Sequence, residues 1–468
     1  MTPQNEGGEM RDRAADFYVR SLNGRKLPER EFDAKVLPAK LKELVAKYDI
    51  RMKDDEVIPL DLDMARRTFE AGRELLLDLG CYCIDTESLV SVDADEVDAA
   101  LAAAPASHTY GSGESQVECV GRKVEDPRPP LIKGGPNGCP ITEENFIPIM
   151  TSVAKEDVDG LHTGTLQSVL GVPIRAHSPI EVLACKKEAI WAREAVAAAG
   201  KPGLSILGIM SGATSEAQDA GDFEGGLRRE DPHLLVFLNE LKFDYDLLKK
   251  LLHQKYIGCL IEANIGGPLH GGYAGAPETA AVAGVAEGLL GFTVCASEDF
   301  SWYPQSLFTG ATTSRESLWM TGMMLAAFRA SGHDVLLDIY MGPQAGPMTE
   351  MICWEIAAEA IANTVCGAST IYGPCGARMI KTDHYTGMEA RMLIDASRAA
   401  AGMSLADAND LLKRILPKYD DAIKAMSAPV GKPFDECYDV DALVPKDEYV
   451  GLWDAQKVEL RAVGFDIA

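Results

Sequence analysis

Glu262 and Asn264 stand two residues apart in the apolar run Cys-Leu-Ile-Glu-Ala-Asn at 259–264, and Asp338 and Tyr340 repeat that spacing in Val-Leu-Leu-Asp-Ile-Tyr at 335–340. Residues two apart on a strand point to the same face, so each pair would present a carboxylate beside a second polar group. If both strands border one cavity, that cavity is acidic and carries a phenol. It would suit a cationic ligand through charge attraction and cation–π contact. The same residues could instead pair with Arg315 or Arg378, or face a layer of helices. His270, in the Gly-rich segment 266–275, and His233 have acid/base capacity near neutral pH and are the candidates for proton handling. A lone loop histidine is nevertheless more often structural than catalytic.

Other chemistries find no pattern. The Gly-rich segment could frame a pocket, but it lacks the Lys-Ser/Thr ending of a phosphate-binding loop. No Gly-x-Gly-x-x-Gly follows a strand, and no Gly-x-Ser-x-Gly elbow occurs. No metal site is expected from the motifs, since Cys81 and Cys83 are spaced unlike zinc ligands and the eight histidines are dispersed. Ligands converging from separate strands stay open.

These residues need elements to position them. From residue 130, short apolar runs alternate with helical patterns, which implies a parallel sheet covered by helices. Strands are expected at 131–134, 160–166, 204–209, 234–238, 259–264, 292–296, 335–340 and 370–372. Helices are expected at 179–199, 245–254, 277–290, 314–331, 349–365 and 387–401. Eight such units match an α/β fold of the (β/α)8, or TIM, barrel type, whose function sits at the C-terminal ends of the strands. The mouth would then hold Gly134, residues 162–167 and 207–211, Glu262, Asn264, Glu298, Asp299, Asp338, Tyr340 and Tyr372. The barrel spans 130–403. Residues 1–129 read as an N-terminal mixed helical and strand extension packed on it, and 404–468 as a C-terminal helical tail.

Composition bounds the partners. With 71 acidic and 45 basic residues among 468, the formal charge is −26, which argues against nucleic acid or a membrane surface. The eleven scattered cysteines read as reduced thiols of a cytoplasmic protein. Residues 1–10 have no basic region leading into an apolar one, so no signal peptide is expected.

Several segments carry a more specific resemblance. They are Ser178-Pro179 with Glu181-Val-Leu-Ala184, Asn239-Glu-Leu-Lys242, Gly271-Gly-Tyr-Ala-Gly275, Ala345-Gly-Pro347 with Thr349-Glu-Met351, Thr386-Gly-Met-Glu-Ala-Arg-Met392, and Phe434 with Glu436-Cys-Tyr-Asp-Val440. In order and spacing the chain resembles the monomethylamine corrinoid-protein methyltransferase family of methanogens almost from end to end. The resemblance implies a (β/α)8 barrel that binds a methylated amine and passes its methyl group to cobalt(I). The corrinoid is supplied in trans by a separate protein, with no cofactor held tightly by the chain itself. It further implies a homo-oligomer.

The departures from the family pattern bear on the chemistry. The position matching the family's pyrrolysine falls on Leu207, the acidic neighbour falls near Ile265, and the glutamine and tyrosine neighbours fall near Tyr340 and Gly342. A quaternary ammonium leaves as a neutral tertiary amine, so it needs orientation and charge stabilisation but no covalent adduct. The expectation is a pyrrolysine-independent methyltransferase acting on an N-methylated, possibly quaternary, amine. In it Glu262, Asp338 and Tyr340 hold the cation, Asn264 makes a polar contact, and Leu207 marks the altered centre. The alternatives are an O-methyl or S-methyl donor on the same scaffold, and a barrel that binds a small molecule without catalysis.

Overall fold

The computed structural model describes residues 13–266 and 269–468. Residues 1–10, read as free of a signal peptide, lie outside them, as do Gly267 and Pro268 of the Gly-rich loop. Eight parallel strands form the centre: β1 (Leu131–Gly134), β2 (Gly160–His162), β3 (Ser205–Leu207), β4 (Pro232–Phe237), β5 (Leu260–Ile265), β6 (Asp299–Trp302), β7 (Leu336–Tyr340) and β8 (Thr370–Gly373). Each is followed by a helix: α1 (Glu143–Ala154), α2 (Pro179–Ala198), α3 (Ser215–Asp219), α4 (Tyr245–Ile257), α5 (Pro277–Cys295), α6 (Arg315–Ser331), α7 (Glu350–Cys366) and α8 (Gly387–Ala400). This is a (β/α)8 barrel.

Local chemistry sets the helix starts at the C-terminal rim. Thr142, Ser178, Thr214, Asp244, Ser314, Thr349 and Thr386 each cap the helix that follows by accepting a backbone N–H. Each such cap contributes about 1 kcal/mol. Helix α5 instead begins on Pro277, whose fixed φ suits the first turn.

The ladder runs β3-β2-β1-β8-β7-β6-β5-β4. Among the described residues no strand pairing joins β3 to β4, so the barrel has a seam there. Its N-terminal end is plugged by a hairpin of Ser107–Tyr110 and Val117–Val120. Tyr110 and Cys119 of that hairpin pack against Leu260 and Leu336 at the strand starts.

The sixth strand corrects the expectation of a strand at 292–296. Residues 292–295 continue α5, and the strand is Asp299–Trp302. Helix α5 is buried on every side from Ala280 to Cys295, between the sheet and the N-terminal extension, so it shows no amphipathic period. It is also long and apolar enough to cross a membrane, but 94% of the qualifying window is buried inside the protein, as in a core helix. The expected helix set omits α1, whose pattern is interrupted by Pro148.

The N-terminal extension is tied to the barrel by a small sheet in which Cys81–Cys83 pairs in parallel with Lys242–Phe243, the segment just after β4. Its helix Leu62–Leu79 packs on α5 and α6, with Gly72 set directly against Val285. The tail helices Leu405–Ile415 and Asp447–Ala462 pack on α7.

Candidate active site

Alternation along the strands sends Lys133, Glu262, Asp299, Asp338 and Thr370 into the barrel at a middle level. One residue pair higher come His162, Asn264, Ser301, Tyr340 and Tyr372. The middle level is a closed ionic cluster. Lys133 Nζ lies 2.8 Å from Glu262 Oε2, 2.7 Å from Asp338 Oδ2 and 3.7 Å from Asp299 Oδ2, and the Tyr110 hydroxyl donates to Asp299. Burial works against the Lys133 ammonium, yet the surrounding carboxylates hold its pKa well above the lysine range. Burial, reinforced by negative neighbours, pushes Glu262 up and Asp299 further up.

The upper level opens into a cavity of about 290 Å3. It is walled by His162, Asn264, Tyr303 and Tyr372, with Met210, Leu234, Val236 and Met379 supplying apolar surface. The Asn264 amide donates to Ser301 Oγ at 2.5 Å and to the Tyr372 hydroxyl at 3.1 Å, which fixes it between β6 and β8. His162 stacks on Tyr372 with ring centres 5.4 Å apart. Tyr340 is tilted against Tyr372 at 5.7 Å and stacks on Tyr303 at 3.7 Å, so four aromatic rings follow one another around the mouth. Burial pushes the His162 imidazole down to about 3, which leaves it neutral. Among the described residues lining the cavity none is a carboxylate, lysine or arginine.

The cavity sits at the seam. Leu234 and Val236 come from β4, while Met210 follows β3. Leu207 ends β3, is buried, and pairs in register with His162. The next residue, Gly208, has φ +93°, and a Cβ there would meet His162 Cε1 at 3.2 Å, so the turn beside the cavity needs glycine. The loop beyond is clamped by buried glutamates of α2. Glu188 accepts from Thr163 Oγ1 (2.5 Å), Met210 N (2.7 Å) and Ser211 N (2.8 Å). Glu181 accepts from Ala213 N (2.6 Å) and Thr214 N (3.0 Å).

The structure rearranges the expected site. Glu262 and Asp338 do meet, but around Lys133 and below the cavity, so the expectation that they present an open acidic wall is corrected. Asn264 lies on the cavity wall as expected. Tyr340 stands behind Tyr303 and Tyr372, fully buried. Arg315 and Arg378, the alternative partners considered for these carboxylates, bond the backbone of Glu56 and Lys53 and of Met426 instead. His233 lies near the start of β4 on the outer face, 3.2 Å from Asp222 Oδ1 and 3.0 Å from the Arg228 carbonyl, so it is removed from the mouth. Although burial opposes the charge, Asp222 holds His233 up at about 10. His270 packs edge-on against Phe308 and does not line the cavity. Glu298 precedes β6 and Asp299 begins it, so neither reaches the mouth, because the strand starts later than expected.

Lys133 and Tyr303 are the site residues that the sequence reading did not select. His162, Met210 and Tyr372 did fall in the expected mouth, without a role assigned to them. Among the described residues, two groups of carboxylate and histidine atoms come within 4.8 Å of one another: Asp219, Asp222 and His253 on the flank, and Glu262, Asp299 and Asp338 in the barrel. The second group already encloses the Lys133 ammonium.

Comparison with known proteins follows the same outline. The family profile described as monomethylamine methyltransferase MtmB matches residues 13–465. MtmB1 of Methanosarcina acetivorans is 36% identical over 453 residues, covering 96% of this chain and 97% of that protein. MtmB of Methanosarcina mazei is likewise 36% identical over 453 residues, with the same coverage. The crystal structure of the Methanosarcina barkeri monomethylamine methyltransferase superposes with a TM-score of 0.93 at 34% identity, covering 97% of this chain and 98% of that one. The match holds in sequence and in fold over nearly the whole length, and the chain belongs to the monomethylamine methyltransferase MtmB family, a family of methyltransferases.

Proposed function

We propose that this member moves a methyl group from an N-methylated cation, best a quaternary amine, to the cobalt(I) of a corrinoid carried by a separate protein, and does so without pyrrolysine. The observation that carries the reading is the cavity wall. Tyr303, Tyr372 and a neutral His162 line the cavity with aromatic rings that suit a methylated cation, and no lining residue repels positive charge. Asn264 supplies its amide oxygen. Leu207, at the position matched to pyrrolysine, offers no group for a covalent adduct. A quaternary nitrogen needs none: its methyl–nitrogen bond breaks as the methyl–cobalt bond forms, and nitrogen keeps the electron pair as a neutral tertiary amine. A solved relative of the same fold was crystallised as a hydroxylamine complex, which supports a small nitrogen compound as ligand.

The corrinoid acts as methyl acceptor and supplies the nucleophile. A cavity of this size holds a small amine and excludes a tetrapyrrole, so the acceptor approaches the mouth from outside. We also place the protein in the cytoplasm, where its eleven unpaired, buried cysteines stay reduced, and expect a homo-oligomer that covers exposed apolar residues such as Tyr18, Val19 and Leu22.

A second reading rests on the sequestered carboxylates. With none of them facing the cavity, an uncharged O-methyl or S-methyl donor would also fit. Both are separated by incubating the protein with a cobalt(I) corrinoid protein and methyl donors of each class, then following conversion to the methylcobalt(III) spectrum. Conversion with quaternary amines supports the proposal. Conversion with ethers or thioethers alone replaces it by the second reading, and donor binding without conversion overturns both.

A further inference from the structure

The ionic cluster under the cavity holds more negative groups than its single cation can balance. Glu262, Asp299 and Asp338 bring carboxyl oxygens within 4.8 Å of one another around one ammonium. Each carboxyl also keeps one buried oxygen with no hydrogen-bond partner: Glu262 Oε1, Asp299 Oδ1 and Asp338 Oδ1. Crowded carboxyls of this kind cannot all ionise, and Glu262 and Asp299, both pushed up by burial and by their negative neighbours, titrate together. The cavity wall begins two residues further along the same strand, at Asn264, a rise of about 7 Å.

We infer that this cluster is the counter-ion of the cavity, exchanging a stored proton for the charge of the ligand: when a methylated cation enters, one carboxyl gives up its proton to solvent and the net charge of the barrel interior is preserved. The inference rests on the reading of the cavity as a cation site. A polar link runs from the cluster toward the cavity: Ser301, opposite Asp338 in register, accepts from the Asn264 amide at 2.5 Å, and the same amide donates at 3.1 Å to the hydroxyl of Tyr372, whose ring lines the cavity.

The groups facing the cluster do not compete for this titration. Burial raises the Tyr110 and Tyr372 hydroxyls and the Cys119 thiol, so all stay protonated. His162 and His108 are lowered by burial and stay neutral. Arg329, lowered by burial to about 10, stays charged near neutral pH. Lys133 is held charged by its carboxylates. Only the carboxyls are left to exchange protons, and cation affinity therefore tightens as pH rises and the stored proton becomes easier to expel.

The test is calorimetric titration of the full chain with tetramethylammonium chloride, at one pH in two buffers of different ionisation enthalpy. The expected result is a buffer-dependent heat equivalent to on the order of one proton released per cation bound. Neopentyl alcohol, a neutral ligand of similar shape, should release none. Glu262→Gln, which keeps the shape, should cut the proton count and weaken the cation roughly tenfold while leaving neopentyl alcohol binding unchanged. A merely structural role for Glu262 would not move the proton count. Cation binding with buffer-independent heat overturns this inference and leaves the cavity reading standing. No tetramethylammonium binding by the wild type overturns both, and the wild-type measurement decides without any variant.

Discussion

In the proposed cation site, Tyr303 and Tyr372 take the place that carboxylates were expected to fill. One aromatic face against a desolvated cation is worth about 1–2 kcal/mol. Tyr303→Leu should therefore lower kcat/KM for a quaternary donor roughly 5–30-fold, since each tenfold step is about 1.4 kcal/mol. Steady-state assays with one quaternary and one neutral donor check this, because the loss should be confined to the cation. Lys133 shows why the site was only half legible beforehand. A single lysine in a four-residue strand has no motif around it, and only the register across β8, β7, β6 and β5 reveals that it faces three carboxyls at once. The paired spacing of Glu262 with Asn264 and of Asp338 with Tyr340 did disclose which residues point inward. It could not disclose their depth.

Buried glutamates on the barrel helices act as clamps for the loops at the mouth. Glu188 and Glu181 of α2 hold the loop after β3, and Glu355 of α7 holds the loop after β7 through Gln344 N and Ala345 N, both at 2.8 Å. A sequence pattern treats these residues as polar interruptions of apolar helices. Glu188→Ala should cost about 2–3 kcal/mol, because it strips partners from two backbone amides and a hydroxyl. It should also raise KM by loosening Met210 beside the cavity. Chemical denaturation and substrate titration of the variant read the two effects separately. Strands β1 to β5, β7 and β8 were legible as apolar runs, but β6 was not. Its inward residues are Asp299 and Ser301, so the polar interior erased the signal that the wholly buried end of α5 imitated.

The barrel as a whole concentrates buried carboxyls whose protonation favours the folded state. Burial pushes Glu240, Glu355 and Glu389 up to about 7 each. A carboxyl with a folded-state pKa above its unfolded value adds stability that is complete below the unfolded value, near 4.5, and lost as pH rises through the folded one. The thermal midpoint should therefore fall as pH is raised from about 5 to about 7 and then level off, and Glu355→Gln should flatten part of that slope. Scanning calorimetry across this range measures it.

The seam between β3 and β4 gives the molecule its cavity, beside the end of β3 at Leu207. The most direct measurement of the account is a crystal structure of the protein soaked with tetramethylammonium. It predicts density for the cation between Tyr303, Tyr372, His162 and Asn264, with Lys133 still seated among its carboxylates below. Density elsewhere, or a cavity filled only by solvent at saturating ligand, would contradict it.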